Sequence, residues 1–172
     1  MLLKCLSLLL GSSRKIIGRE GGKVYLERWY LLGSVFDDTG KRVARSRLPF
    51  SLFLHKFHRS DDDGALHSHP WRWSVAFILR GGYSEERRVG DRVVRRVKLP
   101  FQLNFIRGTD FHRVDLLGES CWTLFLAGPK ASSWYFWDRF TKKRAGWLEF
   151  IAEKRGLVAD AGWQDDRREG DR

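Results

Sequence analysis

The sequence has few cysteines that could cross-link the chain and no apolar run long enough to anchor it in a membrane. It contains two cysteines among 172 residues, which excludes a disulfide framework and favours a reduced, cytoplasmic protein. No apolar run approaches the roughly eighteen residues that a membrane-spanning helix requires. The N-terminal run MLLKCLSLLL carries one lysine and lacks an A-x-A cleavage site, so it is a weak secretory signal. The sequence therefore predicts a protein without a membrane partner.

The composition is that of a globular domain with a basic surface. Hydrophobic residues make up 42% and aromatic residues 14% of the chain, enough for a single domain with its own core. Lysine and arginine outnumber aspartate and glutamate by 32 to 21, which gives a formal charge of +11. Such a charge favours nucleic acid, nucleotides or other anionic partners. The basic residues are spread over several segments, without an arginine-rich tail, so a solvated cationic surface is the alternative.

Short apolar or alternating segments separated by turn signals predict an all-β fold. Strands are expected in eight places, including a charged hairpin around Gly90 and Asp91: residues 23–32, 49–60, 73–79, 83–98, 100–107, 112–117, 121–126 and 134–137. In the second of these, Phe53, His55 and Phe57 alternate with Leu54, Lys56 and His58. A β-sandwich or jelly-roll barrel follows.

Helices are predicted only at the two ends of the chain. Residues 1–22 would form a short amphipathic helix and a linker, since leucines recur on one helical face before Gly11. The barrel would occupy residues 23–140. Trp147, Phe150 and Ile151 follow helical spacing and predict a C-terminal helix over residues 141–156. The polar residues 157–172 would form a flexible tail.

The five histidines are unevenly distributed, because all of them lie between His55 and His112. His67 and His69 form an H-x-H pair, and residues i and i+2 of a strand point to the same face. Neutral imidazoles are common ligands of Zn, Fe, Cu and Ni. His112 opens a later predicted strand, and an antiparallel neighbour can bring it opposite the pair. Three histidines on one face would hold one divalent transition metal; ordinary loop or core histidines are the alternative.

Two segments resemble the motifs of the cupin superfamily. The first combines Gly64-x-x-His67-x-His69 with Gly81, and the second is the turn and histidine of residues 108–112 (GTDFH). A narrower resemblance, over LHKFHRSDDDGALHSHPWRWSVAFILRGGY and IRGTDFHRVDL, is to small cupin-like proteins of phages, prophages and bacteria. It implies a single cupin-type jelly-roll barrel and no particular reaction. The cupin metal-binding glutamate is absent, because its position holds Ser74.

Without that glutamate, a site of three histidines resembles that of thiol dioxygenases, which implies Fe(II), with Zn, Ni, Mn or Cu as alternatives. Asp110 or His55 could be a further metal ligand, or could form a hydrogen bond to one of the ligands. The plainer interpretation is that Asp110 is a turn residue and that His55 is a core histidine. Glu85 is a weaker candidate, and His58 should lie outside. The run of acidic residues 61–63 is expected to form a solvated turn.

Aromatic and basic residues near the two motifs are further candidates. Five aromatic side chains are expected to line the pocket, or else to belong to the plain core: Trp71, Trp73, Phe77, Phe105 and Phe111. Arg107 or Arg113, and less directly Arg80, could clamp a carboxylate or phosphate group; a surface role is the alternative.

The first functional hypothesis is a metal-dependent enzyme, dioxygenase-like, that acts on a small anionic or thiol substrate. The second is a non-catalytic module that binds nucleotide, nucleic acid or a protein partner through its basic surface. A homodimer is compatible with either hypothesis.

Overall fold

The computed structural model describes residues 14–18, 24–36, 42–44, 47–61, 64–146, 149–150 and 164–165. Strands dominate this part of the chain. In chain order they are β1 (Arg14–Gly18), β2 (Val24–Leu32), β3 (Val35–Phe36), β4 (Arg42–Ala44), β5 (Ser51–Phe57), β6 (Leu66–His67), β7 (Trp73–Arg80), β8 (Tyr83–Val89), β9 (Arg92–Lys98), β10 (Leu103–Arg107), β11 (His112–Leu116), β12 (Cys121–Ala127), β13 (Tyr135–Trp137), β14 (Lys143–Gly146) and β15 (Gln164–Asp165). The predicted N-terminal helix lies outside the described residues.

Two antiparallel sheets form the barrel. The first sheet has the strand order β1-β2-β5-β12-β7-β10, and the second has the order β15-β14-β13-β6-β11-β8-β9. Strands distant in sequence are neighbours in space, since β12 lies between β5 and β7. This is the all-β jelly-roll fold that the sequence predicts. Strands β3 and β4 form a separate two-stranded sheet.

Burial alternates along the strands and shows which face of the first sheet points inward. In β7, Ser74, Ala76 and Ile78 are buried, whereas the residues between them are partly exposed. In β10, Asn104 and Ile106 are buried between exposed neighbours. The inward side chains of both strands pack in the space between the sheets. The largest core cluster there consists of Tyr30, Phe53, Trp71, Ala76, Ile106, Phe125 and Ala127.

The predicted charged hairpin is confirmed, with β8 and β9 joined through Gly90 at a φ of 60°. Strand β9 is the edge of the second sheet, and Arg92, Arg95 and Arg96 are exposed there. Charged residues on an edge strand discourage pairing with a further strand.

The predicted C-terminal helix is wrong over its first residues. Residues 143–146 are strand β14, which pairs with β13, and helix is described only at residues 149–150. The register sets Phe136 opposite Ala145, and Phe136 stacks on Phe150 at 4.0 Å between ring centroids. Pairing with the preceding strand therefore overrides the predicted helix over residues 143–146. Among the described residues, no helix is long and apolar enough to cross a membrane.

Gly108 brings the loop before β11 against the segment that follows β6. Its N–H donates to the carbonyl oxygen of Arg72 at 3.1 Å. A Cβ atom at Gly108 would lie 2.3 Å from the carbonyl oxygen of Trp71 and 3.4 Å from that of His69. The absence of a side chain therefore lets the two histidine-bearing segments meet.

We expect Gly108→Ala to lower the free energy of unfolding by about 1–3 kcal/mol, because the added methyl group forces two backbone segments apart. Gly118→Ala is the matched control, since a Cβ there meets nothing within 4 Å. Urea denaturation of both variants measures the difference. Equal stability of the two variants would contradict the close-approach explanation.

Candidate metal centre

Strand pairing brings the three predicted histidines together. His67 at the end of β6 is the antiparallel partner of His112 at the start of β11. His69 lies two residues beyond His67, and its ring centroid is 4.9 Å from that of His112. One ligand atom from each of the three histidines lies within 4.8 Å of the others. The second sheet and the segment that follows β6 therefore bring His67, His69 and His112 to one point between the sheets.

The cluster brings imidazole nitrogens close together. The Nε2 atoms of His69 and His112 are 2.8 Å apart. This separation is that of a hydrogen bond between the two rings. With one ligand atom of each histidine within 4.8 Å of the others, the cluster has the donor type that a transition metal requires.

Glu85 orients His112. Its Oε1 atom accepts a hydrogen bond from Nδ1 of His112 at 2.8 Å, so the lone pair of a neutral His112 ring lies on Nε2. Oε1 also accepts from Arg87 at 2.8 Å and from Asn104 at 2.9 Å. Burial raises the pKa of this carboxyl, but the hydrogen bond and charge of His112, with the other two bonds, outweigh it and bring the pKa to about 2. In metal sites, a ligating histidine usually donates its second ring N–H to a carboxylate or a similar acceptor.

Asp61 supports His67 in a looser way, which corrects the prediction of a solvated turn at this residue. Its side chain is 1% exposed, and Oδ2 lies 3.7 Å from Nδ1 of His67. Oδ2 accepts from the backbone N–H of Val114 at 2.7 Å, and Oδ1 accepts from the hydroxyl of Tyr25 at 2.5 Å. The chain thus turns inward after β5 and buries the first acidic residue of the run.

His69 is held by aromatic packing. Its ring stacks on Phe125 at 5.5 Å and lies 5.7 Å from the ring of Trp71, whereas its Nδ1 atom has no hydrogen-bond partner among the described residues. Burial lowers the pKa of His69 well below its usual value, and the charges of His112 and His67 lower it further. A neutral imidazole is the form that binds metal.

The predicted additional ligands do not join the cluster. Asp110 accepts from the backbone N–H of Arg107 at 3.0 Å and pairs with Arg87 at 3.2 Å, as a turn residue would. His55 is buried in the first sheet, where its Nε2 atom accepts from Nε of Arg28 at 2.9 Å. His58 contacts Glu27 at 2.6 Å, away from the other histidines.

Ser74, at the position of the cupin glutamate, is buried and faces inward. Its hydroxyl lies 3.5 Å from the carbonyl oxygen of Ile106. Within the described part of the chain, the candidate ligand set is therefore the three histidines alone.

Only one of the five predicted pocket aromatics packs against the histidines. Trp71 contacts His69 and belongs to the core cluster. Trp73 lies on the outward face of β7, where its ring is near the position a Cβ of Gly128 would take. The other three lie elsewhere: Phe77 faces outward against Phe101, Phe105 is 51% exposed, and Phe111 packs with Leu66 and Trp137. Strand alternation explains the misplaced residues of β7 and β10, because the inward face belongs to their neighbours.

The predicted anion clamps lie outside the cluster. Arg113 faces away from His112 on β11 and pairs with Asp115 at 2.6 Å. Arg107 and Arg80 are exposed at strand ends. None of these three arginines faces the space between the sheets.

No protein-family model matches the sequence, and no curated protein matches it. The solved structures similar to it include hydroxypropylphosphonic acid epoxidase from S. wedmorenis, at a TM-score of 0.48 and 11% identity over 67% of this chain and 56% of that chain. KdgF from Halomonas sp. has a TM-score of 0.44 and 14% identity, over 68% of this chain and 89% of that chain. A structure of DMSP lyases RdDddP and RnDddQII has a TM-score of 0.47 and 16% identity, over 67% and 55%. This chain spans little more than half of the epoxidase and lyase chains. From its own fold and histidine cluster, it is a jelly-roll protein with a candidate metal centre.

We expect Glu85→Gln to weaken metal binding by about 10–100-fold, because the amide removes the charged acceptor that orients His112. Glu86→Gln is the matched control, since Glu86 pairs with Arg139 at 3.2 Å on the opposite face of β8. Calorimetric titration of both variants with Zn(II) measures the affinities. An affinity of Glu85→Gln equal to that of the control would contradict the role of Glu85.

The stability of the metal-free protein should fall on acidification in a way that depends on His55. Burial, followed by the charge of Arg28, lowers the pKa of His55 well below 6.5. Below about pH 6.5 the unfolded chain takes up a proton at this residue and the folded chain does not, so stability is lost as the pH falls.

His55→Gln should therefore reduce the pH dependence between pH 6.5 and 5 by up to about 1.4 kcal/mol per pH unit. Urea denaturation of both proteins at pH 8, 6.5 and 5 measures this difference. Parallel curves for the two proteins would show that His55 is not a buried neutral histidine.

Proposed function

We propose that this protein is a cupin-type, metal-dependent enzyme that acts on a small anionic or thiol substrate. The observation that carries the proposal is the convergence of His67, His69 and His112, whose ligand atoms lie within 4.8 Å of one another. Two buried carboxylates, Glu85 beside His112 and Asp61 facing His67, support it, because metal-ligating histidines usually donate their second ring N–H to such a group.

The chain's own residues prepare the site for its ligand. Glu85 fixes the tautomer of His112, and Asp61 faces Nδ1 of His67. Trp71 and Phe125 hold His69 and exclude water from its side of the site. His67 is the most open of the three histidines, with 14% of its side chain exposed, so we infer that substrate approaches from its side. A bound divalent metal would supply a Lewis-acidic centre with positions left open for substrate.

Fe(II) is the metal that we propose first. The ligand set contains three imidazoles and no carboxylate, and such a site resembles that of the thiol dioxygenases. Imidazole also suits Zn, Ni and Cu, and Mn completes the list of ions to be tested.

The protein purified under anaerobic conditions, or reconstituted with Fe(II), should contain close to one metal ion per chain by elemental analysis. His112→Ala should lose this metal. His58→Ala should keep it, because His58 contacts Glu27 and lies outside the cluster. Failure of the wild-type protein to bind any of the five ions would overturn the proposal.

The activity itself is tested by oxygen uptake of the Fe(II)-loaded protein with a panel of small thiols and small carboxylates. Uptake that depends on one of these compounds, and that His112→Ala abolishes, supports a dioxygenase-like reaction. Full metal loading without turnover of any compound would favour the non-catalytic alternative, a module that binds nucleotide, nucleic acid or protein. Salt-dependent binding of nucleic acid that survives His112→Ala would favour the same alternative.

A further inference from the structure

A buried arginine lies on the inner face of the first sheet, across the barrel from the second sheet. Arg28 is in β2, is 7% exposed, and is the antiparallel partner of His55 in β5. No sequence motif identifies Arg28, because it lies in an aromatic-rich segment whose pattern predicts a core strand.

The contacts of Arg28 hold its guanidinium group in one place. Nε donates to Nε2 of His55 at 2.9 Å. The guanidinium carbon lies 5.0 Å from the ring centroid of Phe53 and 5.8 Å from that of Trp71. Tyr30 forms a further hydrogen bond with the side chain. The neutral His55 thus accepts the hydrogen bond of the Nε–H group of Arg28. Terminal N–H groups of the guanidinium remain available to donate to a ligand.

No carboxylate among the described residues forms an ion pair with Arg28. Two partly buried arginines of the barrel differ, since Arg87 pairs with Glu85 at 2.8 Å and Arg113 with Asp115 at 2.6 Å. Burial lowers the pKa of Arg28, yet a guanidinium group keeps its proton in proteins. Burying a charge without an opposite charge is costly, and the cation–π contacts with Phe53 and Trp71 offset part of that cost.

Arg28 lies close to the histidine cluster. Trp71 is shared by both, with its ring 5.8 Å from the Arg28 guanidinium carbon and 5.7 Å from the ring of His69. The charge of Arg28 also contributes to lowering the pKa of His69. One aromatic ring therefore contacts both the buried cation and a candidate metal ligand.

We propose that Arg28 binds the oxyanion group, a carboxylate or a phosphate, of the small molecule on which the histidine site acts. A planar guanidinium group matches either oxyanion through two parallel hydrogen bonds. His55 fixes the orientation of the group, and Phe53 and Trp71 support its faces. The proposal rests on the proposed function for the identity of the reacting site, but the anion site itself is tested separately.

The test is a titration with acetate and with inorganic phosphate, followed by NMR at the Trp71 indole N–H. It is performed on the Zn(II)-loaded and on the metal-free protein, with acetamide as the neutral match for acetate. The wild-type protein should show a saturable shift with at least one of the two anions and none with acetamide. Arg28→Gln should weaken that binding about tenfold or more.

Arg107→Gln is the matched control, because it removes the same charge from an exposed position and should bind the anions like the wild type. If Arg28→Gln does not fold, Arg28→Lys replaces it; Lys keeps the charge but lacks the planar fork, so weaker binding is again expected.

Equal anion affinity of the Arg28 variant and the Arg107 variant would overturn the inference, as would an absence of saturable binding of both anions to the wild type. Metal content is measured on the same samples. Anion binding that depends on Arg28 in a protein that takes up no metal supports the anion site and overturns the proposed function. Metal binding without any anion binding supports the proposed function and overturns the anion site.

Discussion

The candidate site depends on the register between β6 and β11. Because side chains alternate across a strand, a shift of one residue in either strand would turn His67 or His112 to the outer face. Strand β6 contains only two residues, too few to fix a register alone. Neighbouring contacts fix it instead: Asp61 accepts from the N–H of Val114 in β11, and Ser68 donates its N–H to the carbonyl of Tyr135 at 2.9 Å. The histidines meet because these bonds allow one alignment.

The strands and the three histidines could be predicted from the sequence because both signals are local. Alternation and turn residues mark most strand positions, and the H-x-H pair needs only the two-residue period of a strand. Glu85 and Asp61 carry no comparable signal. Each supports a histidine on another strand, and the pairing of β8 with β11 that brings Glu85 to His112 is visible only in three dimensions.

The sequence does not show which predicted pocket aromatics point inward, and the physical reason is related. Strand β7 is apolar on both faces, so its sequence does not tell which face points inward. Ser74 proves to share the inner face with Ala76 and Ile78, and Trp73 and Phe77 therefore point outward. At the C-terminal end, local spacing favours a helix, but residues 143–146 gain backbone hydrogen bonds by pairing with β13. Arg28 cannot be identified from the sequence, because a charged residue inside a core strand has no sequence pattern of its own.

The double role of Asp61 constrains how this protein can vary. One carboxylate receives the hydroxyl of Tyr25 from the first sheet and the N–H of Val114 from the second, and it also faces His67. A substitution there alters the docking of the sheets and the environment of a candidate ligand at once. Ser74 does not have two such roles. Its described side-chain hydrogen bond is one long contact, to the carbonyl oxygen of Ile106. In evolutionary terms, the sequence can change at Ser74 more freely than at Asp61.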